Sequence, residues 1–176
     1  MNWTKALAMA VIVLFASRSY GQMYPGATTD KPLSAKPVFA LAVDPPPPPI
    51  HINGSVDVTI TVTNITDNKI FWESDRGKDS VYKAFVIVLT RDGHELETTV
   101  FNRKITGRQR SDDPLDVEAG SSISLPYPPG KMFVMTIDLK RLYDIKEPGP
   151  YTLEVSRFDL YSKTTVRSKT NLNIVP

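Results

Sequence analysis

The sequence predicts an all-β fold, an antiparallel β-sandwich of about seven or eight short strands following an N-terminal signal peptide. Three observations carry this expectation. Val56, Val58, Ile60 and Val62 alternate with Asp57, Thr59, Thr61 and Thr63. Period two with one apolar and one polar face describes a strand buried on one side and wet on the other. Turn residues punctuate the chain at fairly regular spacing, and no window after the leader sustains a long helical period.

The elements follow in order. Residues 1–21 hold a basic Lys5, an apolar run from Ala6 to Ala16, and Ser19 and Gly21 at the −3 and −1 positions of a cleavage site. This is the pattern of a secretory signal peptide. The run is too short to span a bilayer comfortably, so no membrane span is expected in the mature chain. Residues 22–36 read as a flexible lead, and residues 37–176 as the folded domain. The run 37–43 is β-prone. Five prolines, 45–49, then favour polyproline II and read as a stiff connector rather than a docking peptide. Residues 55–64 are the cleanest strand, and 70–72 begin another. Residues 82–100 read as a hairpin around Asp92-Gly93, because Asp-Gly supplies the positive φ angles of a tight primed turn. Residues 101–120 read as a long irregular connection. Strands are expected again within 121–130 and 131–139, the latter with Phe133, Met135 and Ile137 on one face. A single helical turn is expected at 140–144. Two last strands follow, with Val166, Leu172 and Ile174 pointing inward in the second.

Gly149-Pro150-Tyr151-Thr152-Leu153 has the form of the Gly-x-Tyr-x-Cys run that enters the penultimate strand of immunoglobulin-like sandwiches. There the Tyr hydrogen-bonds to nearby backbone, and Leu153 stands in place of the cysteine. Trp72 is the candidate for the buried core tryptophan. The runs 58–72, 84–96, 119–125 and 137–156 together resemble bacterial exported immunoglobulin-like domains of uncharacterised type. Such domains end in a Leu-x-x-Leu-Tyr-Asp segment followed by Pro-Gly-x-Tyr-x-apolar. The layout is also similar to the intracellular proteinase inhibitor family and to the sandwich domain preceding some secreted metallopeptidases. The resemblance spans about residues 37–175 through strand pattern and turns. It implies the fold and an accessory or inhibitory role, and it supplies no catalytic residue.

Composition narrows the chemistry. Lys5 and Arg18 are the only charged residues of 1–21, so the formal charge of +2 falls to zero once the leader is removed. A neutral chain lacks the clustered positive field that nucleic-acid binding needs. There is no cysteine, hence no disulfide framework, thiol nucleophile or cysteine zinc site. A disulfide-free exported domain fits a bacterial periplasmic or extracellular protein. His51 and His94 lie far apart and outside any paired-ligand spacing. No serine sits in a nucleophile elbow, and no phosphate-binding glycine motif occurs. Neither catalysis nor a cofactor is expected.

The candidate contact element is the basic-then-acidic stretch of Arg103, Lys104, Arg108, Arg110, Asp112 and Asp113, continuing to Asp116 and Glu118. Loops held on a rigid sandwich often carry recognition. The acidic part lacks glycine-centred EF-hand spacing, so a solvated loop is favoured over a calcium site. The expected function is a non-enzymatic binding or interaction module of the cell envelope, with an unidentified envelope or secreted protein as partner. The alternatives are a protease inhibitor or protease-accessory domain, entering an active site through 73–81 or 101–120, and a carbohydrate-binding module. The last needs Tyr127, Tyr143, Phe158 and Tyr161 to share an exposed platform. Asn2, Asn53 and Asn64 stand in glycosylation sequons, relevant only in a eukaryotic secretory pathway.

Overall fold

The alternation at 57–63 becomes the wall of a core. The side chains of Val56, Val58, Ile60 and Val62 are fully enclosed, and the intervening Asp and Thr residues face outward. Burying a side chain of this size contributes about 1.5–3 kcal/mol. The structure is a computed structural model and describes residues 33–75, 79–108, 110, 112–113 and 122–176. The expected leader (1–21) and most of the expected lead (22–36) lie outside the described residues, as do Asp116 and Glu118.

The strands are β1 (Phe39–Asp44), β2 (Ile50–His51), β3 (Asp57–Asn64), β4 (Ile70–Asp75), β5 (Val86–Arg91), β6 (His94–Glu95), β7 (Ser122–Tyr127), β8 (Met132–Asp138), β9 (Gly149–Asp159) and β10 (Thr164–Val175). The helical turns are α1 (Ser80–Lys83), α2 (Val100–Thr106) and α3 (Leu139–Leu142). One sheet has the order β1-β3-β8, a second β2-β10-β9-β5-β6, and β4 pairs with β7. All pairings are antiparallel except the short β2–β10 contact. Residues from the sheets meet in one core, where Ile60 and Ile137 share the interior with Leu89, Leu153 and Leu172. This is the all-β sandwich that the sequence predicts. The proline run joins β1 in one sheet to β2 in the other, as a connector should.

β4 and β7 prolong the β3–β8 pair past a corner. Thr63 is opposite Met132 and Ile70 is opposite Tyr127, so residues 64–69 on one side face 128–131 on the other. Pro129 and Gly130 make the shorter side. Gly130 has φ +67°, and the Lys131 N–H donates to the Pro128 carbonyl at 3.2 Å, the arrangement of a type II turn. Asn64 fills the longer side. Its amide nitrogen donates to the carbonyls of Asn68 and Tyr127, and its Oδ1 accepts from the N–H and hydroxyl of Thr66. The Asn64 amide is therefore occupied inside the fold, whereas Asn53 is exposed in a turn. Beyond the corner Trp72 packs edge-on to Phe39 at 5.6 Å and beside Phe85 and Tyr127. Arg157 of β9 lies over the Trp72 ring at 3.8 Å and donates to the carbonyls of Ala84 and Glu73, tying the β4–β7 ribbon to the larger sheet.

The tyrosine corner is present. Tyr151 is buried, and its hydroxyl donates to the carbonyl of Glu147, four residues upstream. Leu153 is fully enclosed at the position the cysteine would take. The expected Asp-Gly turn also forms, with φ of 51° at Asp92 and 80° at Gly93.

Two local readings need correction. The hairpin is confined to β5 and β6, because 80–83 coil into α1 and Val100 starts α2. The connection expected from residue 101 begins as a helix, because Thr99 caps its start and Gly107 its end. As expected, Phe133 shares the inner face with Met135 and Ile137, and it stays 41% exposed because no described strand covers the outer side of β8.

Candidate functional site

The basic-then-acidic stretch lies at one end of the sandwich, where α2 docks on α3. Thr99 caps α2 by accepting from the Asn102 N–H at 3.1 Å, and its own hydroxyl donates to the Arg141 carbonyl. Asn102 is buried and donates to the Leu142 carbonyl at 3.1 Å. At the other end Gly107 adopts φ +68°, and the Arg108 N–H reaches back to the Arg103 carbonyl at 2.8 Å. This is a Schellman closure, which needs the left-handed residue that glycine provides. Beneath α2, the Arg141 guanidinium lies between Tyr82 at 4.7 Å and Phe101 at 4.1 Å, with Asp79 3.0 Å away. The planar cation thus joins α1, α2 and α3.

The chain after α2 is strapped back onto it. Arg103 grips Asp113 with two parallel bonds of 2.8 and 2.5 Å, and also donates to the Thr98 carbonyl. Asp113 accepts in addition from the Arg110 N–H at 2.9 Å. The guanidinium of Arg103 and the amide of Arg110 pull the Asp113 carboxyl down to about 2. The same pair raises the Arg103 pKa. Bidentate pairs of this kind fix geometry as well as charge.

Of the six predicted contact residues, the structure therefore brings Arg103, Arg110 and Asp113 together. Arg103 and Asp113 are largely enclosed and satisfy one another. Lys104 is half-buried in the last turn of α2. Arg108, Arg110 and Asp112 are exposed, and Arg110 has Glu97 3.6 Å away. What sequence reasoning missed was the support: Thr99, Asn102 and Arg141. The Thr99 and Gly107 cap signals, eight residues apart, were the available clue to α2.

The other candidate chemistry is dispersed. His51 is exposed, with its Nδ1 2.8 Å from the Pro176 carbonyl, and His94 lies exposed in β6. Among the described residues no three His, Cys, Asp or Glu side chains gather in a metal-binding group. No described helix is long and apolar enough to cross a membrane. The four aromatics proposed as a sugar platform do not form one. Tyr127 and Tyr143 are core residues, donating to the carbonyls of Val62 and Ile87, and burial pushes each hydroxyl up to about 12. Tyr161 accepts the Phe71 N–H, and Phe158 alone of the four is exposed. An open cleft of about 540 Å³ lies beside the tyrosine corner, lined partly by Thr90, Thr152 and Asn171.

No family profile matches the chain, and no curated protein matches it in sequence. In three dimensions it is similar to a CARDB domain from Pyrococcus furiosus, with TM-score 0.40 and 9% identity over 81% of this chain and 98% of that one. It is also similar to the bacterial hydrophobin BslA, with TM-score 0.38 and 11% identity over 83% of this chain and 99% of that one. A β-glucosidase from Listeria innocua gives TM-score 0.37 and 16% identity over 88% of this chain, which spans 20% of the enzyme.

Proposed function

We propose that this chain is an exported, non-enzymatic interaction module whose contact surface is the strapped end of the sandwich. One observation carries the reading. A short helix capped at both ends, and locked by the Arg103–Asp113 pair, anchors the backbone at Arg108, Arg110 and Asp113 and leaves the side chains of Arg108, Arg110 and Asp112 exposed. Ordering this backbone in advance lowers the entropic cost of docking a partner. The mixed signs suit a protein surface of complementary charge better than a polyanion. Export is supported by the leader pattern of residues 1–21.

The test must spare the strap, because deleting 103–118 would remove Arg103 and Asp113 along with the contact groups. Exchanging the exposed charges, Arg108→Glu with Asp112→Lys, leaves net charge and the buried pair intact. The exchanged chain is expected to lose a partner that the unaltered chain captures from envelope or secreted fractions. Equal capture by both chains would remove the contact surface from this end of the fold.

A further inference from the structure

The sandwich exposes six strand edges among the described residues, and five are blunted. β1 runs into Asp44 and the proline run. β2 and β6 are two residues long. β4 carries Glu73 and Asp75, and β7 is interrupted by Pro126. Shortness, charge and proline are the usual devices against edge-to-edge pairing. β8 is the longest of the six and, apart from Asp138 at its end, has none of them. From Met132 to Ile137 it contains no charge, proline or glycine. No described strand pairs with its far side. Met132, Phe133 and Val134 are consecutively exposed, at 56%, 41% and 57%.

We propose that β8 is a self-association edge, where a second copy of this chain adds antiparallel about a two-fold axis at Val134. The two three-stranded sheets then become one sheet of six. Charge selects this occupant. At one end of the β3–β8 ladder Asp57 and Asp138 stand directly opposite one another, a like-charge pair. At the other end the strand is entered by Lys131. Antiparallel pairing centred on Val134 places Met132 opposite Thr136, Phe133 opposite Met135, and Lys131 opposite Ile137 of the other copy. Each lysine then lies at the same end of the joined sheet as the partner's acidic pair, one residue along and on the other face, a neighbouring attraction rather than a direct pair, twice over by symmetry. A parallel arrangement would set Lys131 beside Lys131 and the acidic pairs beside each other. Behind the edge, Thr59, Thr61 and Thr63 give the outer sheet face an uncharged surface. Main-chain bonds supply affinity in such additions, and the side-chain register supplies selectivity.

Sedimentation velocity over a concentration series, on the exported chain as its host processes it, tests the proposal. The chain is expected to form a dimer that dissociates on dilution. Val134→Lys sets two cations face to face at the axis and should weaken the dimer about tenfold or more. Because the chain has no cysteine, single-cysteine variants report register directly. Val134→Cys should oxidise to a covalent dimer, and Thr165→Cys, exposed on β10, should not. A monomer at every concentration overturns the proposal. So does a dimer that survives Val134→Lys, or one that cross-links equally at position 165. Should Val134→Lys fail to fold, the cysteine pair still decides.

Discussion

Replacing Asn64 tests the corner on which the bent ribbon depends. The residue is 1% exposed and makes four side-chain bonds. It donates to the Asn68 carbonyl at 2.9 Å and the Tyr127 carbonyl at 2.8 Å, and accepts from the Thr66 N–H at 3.0 Å and hydroxyl at 2.8 Å. Each neutral bond contributes about 0.5–1.5 kcal/mol net, and a buried group left without a partner costs about 1–3 kcal/mol. In Asn64→Ala, water can reach the Asn68 and Thr66 groups, which lie in an exposed turn, but reaches the Tyr127 carbonyl poorly. The expected loss is therefore about 2–4 kcal/mol. At a urea slope of about 2 kcal/mol/M, the midpoint should fall by about 1–2 M with the slope unchanged. Trp72 is the single tryptophan after residue 21 and sits in the core, so its emission reports the transition. Asn64→Asp keeps both acceptor bonds but turns an oxygen toward two carbonyls. It should be worse than alanine at neutral pH, and its deficit should shrink on acidification as a proton restores one donor. A midpoint shift under about 0.3 M for Asn64→Ala would refute the role assigned to Asn64. So would an aspartate tolerated better than alanine.

Three further outcomes are expected. Tyr151→Phe keeps the packed ring and removes one bond to the Glu147 carbonyl, so urea unfolding should show a loss of about 0.5–1.5 kcal/mol. Gly130→Ala meets no atom within 4 Å, so its cost is purely that of φ +67° for an L residue, about 1 kcal/mol by thermal unfolding. The Asp113 carboxyl has a folded pKa depressed to about 2. Its contribution is complete above the unfolded carboxyl value of about 3.9 and is lost as pH falls through about 2. Asp113→Asn should therefore be less stable than the unaltered chain at neutral pH, and the gap should close across that acidic window. A gap that persists at the acidic end would assign the stabilisation to something other than the ion pair.

Much of the frame was legible because its signals are local. The alternation of Val56 to Val62, the Asp92-Gly93 turn and the Gly149-x-Tyr151-x-Leu153 entry are each set by a few neighbouring residues, and the structure realises all three. What escaped depends on distant partners or short elements. Period two places Phe133 on the inner face, but it cannot reveal that no described strand covers that edge of β8. The pairing of β4 with β7 joins segments about fifty residues apart, and nothing in either names the other. Asn64 resembles a polar turn residue until the corner encloses it. Helix α2 spans seven residues, too few for periodicity to register, and its caps were its only signal. The contact stretch was found by composition alone. Composition did not separate Arg103 and Asp113, which hold the strap together, from Arg108 and Asp112, which face solvent.

The most direct test of the interaction-module account is site-specific photo-crosslinking in the source cell. A photoreactive side chain would replace Arg108 or Asp112 at the strapped end, and Glu154 on the outer face of β9 as a reference. The account predicts one discrete adduct from positions 108 and 112 and none from 154. Adducts of equal yield from all three positions, or none from 108 and 112, would contradict it.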